Sequence, residues 1–213
     1  MAQSYRHFCP VARAVEKIGD KWSLLIIRDL LREPQRFTDL LSYLNNITPK
    51  WLTRRLRDLE EAGVVERDSK PGRREVFYSL TAAGRELAPV LEALKIWGLR
   101  YAMRPPEPGE VVHPDLMMRN LTFLLNNRDK RLPRKTTWEM RFPQTTYTLS
   151  FSGGGWSSSR QEDPDADLTV TTTPELWAAI FTSPRSARSS LAKAIRIEGV
   201  PERINEFKQI FGI

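Results

Sequence analysis

The sequence predicts an α+β chain made of two domains, and three observations carry that prediction. The first half strings together segments with apolar residues at helical spacing and then a short pair of β-like segments around a Pro-Gly turn. The second half opens with a helical stretch, passes through strands of alternating polarity, and closes on helices. Between the halves, "MRPPEPGEVVHP" (Met103 to Pro114) holds four prolines and a glycine, the composition of a stiff linker. The expected boundaries are 1–102 for the first domain, 103–114 for the linker and 115–213 for the second domain.

Charge separates the halves as well. The 213 residues include 33 Lys or Arg against 26 Asp or Glu, a net +7. Residues 1–102 contain 18 basic and 13 acidic side chains, so most of the surplus lies there. Such a balance suits nucleic acid or an anionic surface and says nothing about fold. Cys9 is the single cysteine, which excludes an internal disulfide and fits a reducing compartment. No signal-peptide pattern opens the chain, and no run approaches ~18 apolar residues. A cytoplasmic protein with no membrane partner is expected.

The first domain reads as helices, a hairpin and a further helix. Asp20 is a good N-cap for "KWSLLIIRDLLRE", which is apolar almost all round and must be buried centrally. "RFTDLLSYL" follows, with Phe37, Leu40, Leu41 and Leu44 on one face. "NNITP" breaks the pattern. Thr48 then caps a third helix with Pro49 at its first position, where a missing N–H costs nothing.

That third helix, "TPKWLTRRLRDLEEAG", carries its charges in the order its own dipole disfavours, cations early and carboxylates late. Leu52, Leu56 and Leu59 form its buried stripe. A rotation of ~100° per residue puts Lys50, Arg54 and Arg57 almost opposite that stripe, with Thr53 at its flank and Glu61 near the far end. In helix-turn-helix proteins the first turns of the second helix reach base edges in the major groove, where Arg pairs with guanine and Lys and Arg neutralise phosphates. A solvated surface helix is the plainer alternative.

The next segments favour DNA. Gly63 ends the helix. "VVERDS" and "EVFYSL" then flank "KPGRR", a hairpin with Lys70, Arg73 and Arg74 at its tip, suited to phosphate or minor-groove contact. A basic third helix followed at once by a basic hairpin is the pattern of a winged helix-turn-helix. The candidate DNA contacts are Arg36, Thr48, Lys50, Thr53, Arg54, Arg57, Lys70, Arg73 and Arg74. "TAAGRELAPVLEALKIWGLRYA" (Thr81 to Ala102) reads as one long helix, kinked at Pro89. Its stripe of Leu87, Val90, Leu91, Leu94, Trp97, Gly98 and Tyr101 exceeds what a small domain covers. Part of it is expected to meet the same helix of a second copy, in a two-fold dimer; a contact with the second half of the same chain is the alternative.

The stretches "CPVARAVEKIGDKWSLLIIRDLL", "RFTDL", "ITPKWLTRRLRDLEEAGVVER" and "VFYSLTAAGREL" resemble the HxlR family of bacterial winged-helix transcription regulators, over about residues 8–100. The resemblance implies a homodimer, joined through its N-terminal segment and last helix, on inverted-repeat operators in double-stranded DNA. The wing departs from the family pattern, with "DSKPGRREVFY" in place of a tyrosine-containing, proline-rich tip. Cys9 precedes Pro10 at a helix start, where a thiolate is favoured. Some regulators of this kind sense electrophiles or oxidants there. A small buried residue is the alternative reading.

In the second domain, "DLMMRNLTFLLNN" reads as a helix. Trp138, Met140 and Phe142, and then Tyr147, Leu149 and Phe151, alternate with polar residues as half-buried strands do. "SGGGWSSS" reads as a hairpin or loop, "DPDAD" as a polar turn, "ADLTVTTT" as a strand and "PELWAAIFTS" as a helix. The succession "ADLTVTT", "LWAAIF", "AKAIRIEGVPERINEFKQIF" resembles the sterol-carrier-protein type of lipid-binding domain, over roughly residues 112–213. That resemblance implies an α+β sandwich with an apolar tunnel for a hydrophobic small molecule. Trp138, Met140, Phe142, Tyr147, Leu149, Phe151, Trp177 and Phe181 are the candidate lining. Filling an ordinary core is the alternative for each. "SPRSARSSLAK" stands where that family has a glycine-rich segment.

No catalytic constellation, metal-ligand spacing or cofactor motif is found. His7 and His113 lie far apart, and no cofactor is expected. The leading reading is a non-enzymatic, dimeric DNA-binding regulator, responsive to an apolar effector in the second domain. The alternative is a lipid carrier or scaffold whose winged domain binds protein.

Overall fold

The computed structural model describes residues 4–68, 75–127 and 131–213. The chain divides into two compact units, Met1–Ala102 and Met103–Ile213.

In the first unit, α1 (Pro10–Ile18) and α2 (Lys21–Leu30) lead to a short strand β1 (Gln35–Arg36), α3 (Phe37–Tyr43) and α4 (Pro49–Glu61). The strands β2 (Val65–Asp68) and β3 (Phe77–Leu80) follow, then α5 (Ala82–Arg85) and α6 (Ala88–Tyr101). β1 and β2 pair antiparallel with β3, in the order β1-β3-β2. The core gathers Ile26, Ile27 and Leu30 of α2, Leu40 of α3, Leu52, Leu56 and Leu59 of α4, and Leu80. Each is at most 4% exposed. Burying a leucine fully stabilises by about 1.5–3 kcal/mol, so the α4 stripe alone fixes which side of that helix faces out.

Capping sets the boundaries. Asp20 accepts from the Trp22 N–H at 2.9 Å and starts α2. Thr48 accepts from the Trp51 N–H at 3.3 Å and starts α4. Gly63 ends α4 in the left-handed region, φ 71°, where an L side chain is strained. The Thr81 hydroxyl donates to the Gly63 carbonyl at 2.7 Å and accepts from the Gly84 N–H at 3.1 Å. A Cβ at residue 84 would collide with the Val64 carbonyl oxygen. The Leu-Thr-x-x-Gly run is therefore the clasp that holds the start of α5 against the end of α4.

The single helix expected over Thr81 to Ala102 is two, α5 and α6, interrupted at Glu86 and Leu87. Pro89 has no N–H to return to the Arg85 carbonyl, and the chain breaks there rather than kinking.

The second unit is α+β. It runs α7 (Pro114–Asn127), β4 (Thr136–Phe142), β5 (Thr145–Ser152), β6 (Gly155–Ser159), β7 (Leu168–Thr171), α8 (Pro174–Thr182), α9 (Arg185–Leu191), a 3-10 turn (Ala192–Ala194), β8 (Arg196–Gly199) and α10 (Pro201–Phe211). The sheet order is β6-β5-β4-β7-β8, with β4 and β7 parallel and the other pairs antiparallel. Register puts Trp138, Leu149 and Leu168 side by side, and Met140, Tyr147 and Val170 beside them, on one face. Met118, Leu121 and Leu125 of α7, Trp177 and Ile180 of α8, and Phe207 and Phe211 of α10 join that face in a single core.

The opposite face is polar. Its Glu139, 1% exposed, pairs with Arg141 at 2.6 Å and accepts from the Asp163 N–H at 2.9 Å. The "DPDAD" stretch is thus a turn folded onto this face. "SGGGWSSS" is the β5–β6 hairpin, with Gly153 and Gly154 at positive φ. Trp156 within it is 5% exposed and belongs to the core.

Candidate nucleic-acid interface

On α4 the buried and exposed sides separate cleanly. Leu52, Leu56 and Leu59 are 0–1% exposed, whereas Thr48, Lys50, Thr53, Arg54 and Arg57 are all exposed. The Thr53 hydroxyl donates back to the Pro49 carbonyl at 2.9 Å, leaving its lone pairs outward. No carboxylate among the described residues pairs with Lys50 or Arg54. Arg57 is engaged by Glu61 at 3.0 Å.

Arg55 plays a different part. Its side chain is 16% exposed and bridges Asp58 of α4 at 3.0 Å and Asp20, the cap of α2, at 3.8 Å. It ties α4 to α2 and so holds the angle at which the neighbouring basic residues project. Trp51 lies on the same flank, 48% exposed, with the Arg54 and Arg55 guanidinium carbons 5.6 Å and 5.9 Å from its ring centroid. The sequence reading passed over Trp51. The signal was a large apolar residue off the leucine stripe, next to three arginines.

Arg36 precedes α3, exposed, paired with Glu75 at 2.8 Å and lying over the Phe77 ring at 5.3 Å. It stands at the base of the wing. Lys70, Arg73 and Arg74 lie outside the described residues, so their placement in the wing tip remains a reading of the sequence.

A second surface of the first unit is apolar. On α6, Val90, Leu94, Trp97 and Tyr101 are 46–66% exposed, and near α1 Phe8 is 99% and Val11 70% exposed. The Trp97 and Tyr101 rings meet at 5.8 Å, tilted by 45°. Cys9 sits at the N-cap of α1 as a free, partly exposed thiol.

In the second unit the candidate lining residues are brought together. Trp138, Met140, Phe142, Tyr147, Leu149, Phe151 and Trp177 are each at most 7% exposed, and Phe181 packs against them. Trp138 meets Phe207 at 5.0 Å and Trp156 at 4.9 Å; Trp177 meets Phe181 at 4.9 Å and Phe211 at 5.3 Å. The Tyr147 hydroxyl donates to Asp115. Burial and that carboxylate push the phenol up to about 12. The indole Nε1 groups of Trp138 and Trp177 are buried with no hydrogen-bond partner among the described residues. Among the described residues, no cluster of His, Cys, Asp and Glu has the geometry of a metal site. No helix among them is long and apolar enough to cross a membrane.

Comparison with known proteins agrees with this geometry in the first unit. Residues 17–106 match the family described as HxlR-like helix-turn-helix. An uncharacterised HTH-type transcriptional regulator of Synechocystis is 44% identical over 89 residues, which is 41% of this chain and 66% of that protein. One from Methanothermobacter thermautotrophicus is 36% identical over 105 residues, 49% of this chain and 80% of that protein. YdeP of Bacillus subtilis is 38% identical, over 45% of this chain and 76% of that protein. Among solved structures, the reduced form of the transcriptional regulator YodB from B. subtilis is 32% identical, covering 49% of this chain and 100% of that one, with a TM-score of 0.40. These relatives are transcriptional regulators rather than enzymes. With an exposed basic α4 set in a helix-turn-helix frame and relatives of this kind, the chain belongs to the HxlR family of helix-turn-helix transcriptional regulators.

Proposed function

We propose that the chain acts as a homodimer on inverted-repeat DNA, each copy laying the first turns of α4 in a major groove. The observation that carries this reading is the outward row of Lys50, Arg54 and Arg57 over a fully buried leucine stripe. The exposed apolar residues of α6 and of the segment around α1 support the dimer, since a surface of that kind favours a partner over water. Two copies related by a two-fold axis present their α4 helices about 34 Å apart, one turn of duplex. Arg36 and the wing residues Lys70, Arg73 and Arg74 add backbone and minor-groove contacts in this reading. The test is a titration of a duplex selected from random sequence against a scrambled duplex at several salt concentrations. Selective binding with a steep salt slope supports the proposal; equal, salt-independent binding contradicts it.

For the second unit the proposal is an effector role in a sterol-carrier-like fold. Two indole N–H groups, on Trp138 and Trp177, are buried without acceptors among the described residues. Each unmet donor costs about 1–3 kcal/mol, and an apolar molecule carrying a carbonyl or carboxylate would satisfy them. Native mass spectrometry of the full chain reports subunit number and any retained small molecule together.

A further inference from the structure

Trp51 has no role in the reading of α4 given above, yet it is the large apolar side chain that helix leaves in solvent, at 48% exposure. It occupies the third helical position, and its own N–H is held by the Thr48 hydroxyl at 3.3 Å, so its backbone is fixed by the cap. Two guanidinium groups lie near its ring. The Arg55 guanidinium carbon is 5.9 Å from the ring centroid, and Arg55 is itself anchored by Asp58 and Asp20. Arg54, three residues on, lies 5.6 Å from the same centroid. An indole in contact with an anchored cation and a second, exposed one has less freedom to lose on binding than a bare surface side chain.

Resting on the reading of α4 as the major-groove helix, we propose that Trp51 is a specificity-determining residue that reads a thymine C5-methyl group in each half-site, and that it positions Arg54 for the adjacent base. The chemistry of the groove selects this occupant. Base edges in the major groove offer hydrogen-bond donors and acceptors, which suit Arg54, Lys50 and Thr53. The apolar group they offer is the thymine methyl. The hydrocarbon edge of the indole, away from its Nε1–H, matches that methyl at the leading end of the helix. Burial of one methyl against the ring corresponds to about a fourfold change in affinity per half-site.

The experiment uses the full-length protein and a duplex that it enriches from a random pool. Each thymine is replaced in turn by deoxyuridine, which removes the methyl and keeps the pairing. The expected result is a loss of about fourfold at one thymine per half-site for the wild-type chain. Trp51→Ala loses that sensitivity and Trp51→Phe retains it, with both variants checked for native helix content. Insensitivity of the wild type to every deoxyuridine, or an equal penalty in wild type and Trp51→Ala, overturns the proposal while leaving α4 as the DNA helix. Failure of the wild type to enrich any sequence overturns the regulator reading itself, and this proposal with it.

Discussion

Across one turn of α4, the Arg57 guanidinium donates through Nε to the Glu61 carboxylate at 3.0 Å. Both side chains are well exposed, 77% and 64%. The pair sits on the face that carries Lys50 and Arg54, so one cation of the proposed DNA surface is already engaged by an anion of its own helix. An exposed pair of this type stabilises the fold by at most about 0.5 kcal/mol, whereas a carboxylate facing phosphates repels them.

Glu61→Gln is therefore expected to change binding while leaving folding almost untouched. Affinity for a selected duplex is expected to rise about two- to fivefold at low salt, with the melting temperature almost unchanged. Fluorescence anisotropy at two salt concentrations checks this. Weaker binding of Glu61→Gln would mean that Glu61 positions Arg57 instead of restraining it.

Arg55 stands next to two exposed arginines and is expected to behave unlike them. Its guanidinium, on a side chain only 16% exposed, is bridged to Asp58 and Asp20, which are 40% and 34% exposed. Arg55→Ala should cost about 1 kcal/mol or more, seen as a lowered thermal midpoint, while Arg54→Ala costs little stability. Equal stability of the two variants would remove Arg55 as the strut between α2 and α4.

The α6 surface gives a direct test of assembly. Leu94→Glu combined with Trp97→Glu places carboxylates in the exposed apolar row. Sedimentation velocity should show a dimer for the wild type and a monomer for this variant, with DNA affinity reduced at least tenfold. A variant that stays dimeric with unchanged affinity would exclude this face as the interface.

Tyr147 makes an alkaline signature. Burial first, and then the hydrogen bond and charge of Asp115, push its phenol up from an ordinary 10.0 to about 12. The folded chain keeps a proton that the unfolded chain releases near pH 10. This contribution is complete below about pH 10 and is lost as pH rises through 12. Titration of tyrosinate absorbance should show a phenol near 12 in the wild type that is absent from Tyr147→Phe, while Tyr78, also raised by burial, is present in both. All tyrosines titrating together near pH 10 would contradict the buried Tyr147–Asp115 contact.

Much of the first unit was legible in the sequence because local rules and tertiary packing agree there. Thr48, Pro49 and Gly63 mark the ends of α4, and the leucine spacing marks its inner face, leaving Arg55 off the outward row. Pro89 was visible as a disturbance. The sequence did not show that it divides the helix outright, at Glu86 and Leu87, rather than kinking it. Trp156 was hidden by its setting. A run of glycine and serine reads as loop, and the partner that fixes this strand edge lies 30 residues away. The Asn126 side chain accepts from the Trp156 N–H at 2.7 Å and donates to its carbonyl at 3.0 Å. The parallel pairing of β4 with β7 is equally remote in sequence. On α4 the leucine stripe revealed which residues face outward, but not that Glu61 holds Arg57 or that two guanidinium groups lie within 6 Å of the Trp51 ring centroid. Those depend on rotamers, which spacing does not encode.

The central claim is that the outward basic row of α4 is the DNA-binding surface. The measurement closest to it is the salt dependence of duplex affinity for the wild type and for Arg54→Ala combined with Arg57→Ala. The account predicts that the double variant keeps its fold, loses at least about a hundredfold in affinity, and shows a log–log salt slope shallower by about 0.9 for each phosphate contact removed. Undiminished affinity with an unchanged slope would contradict it.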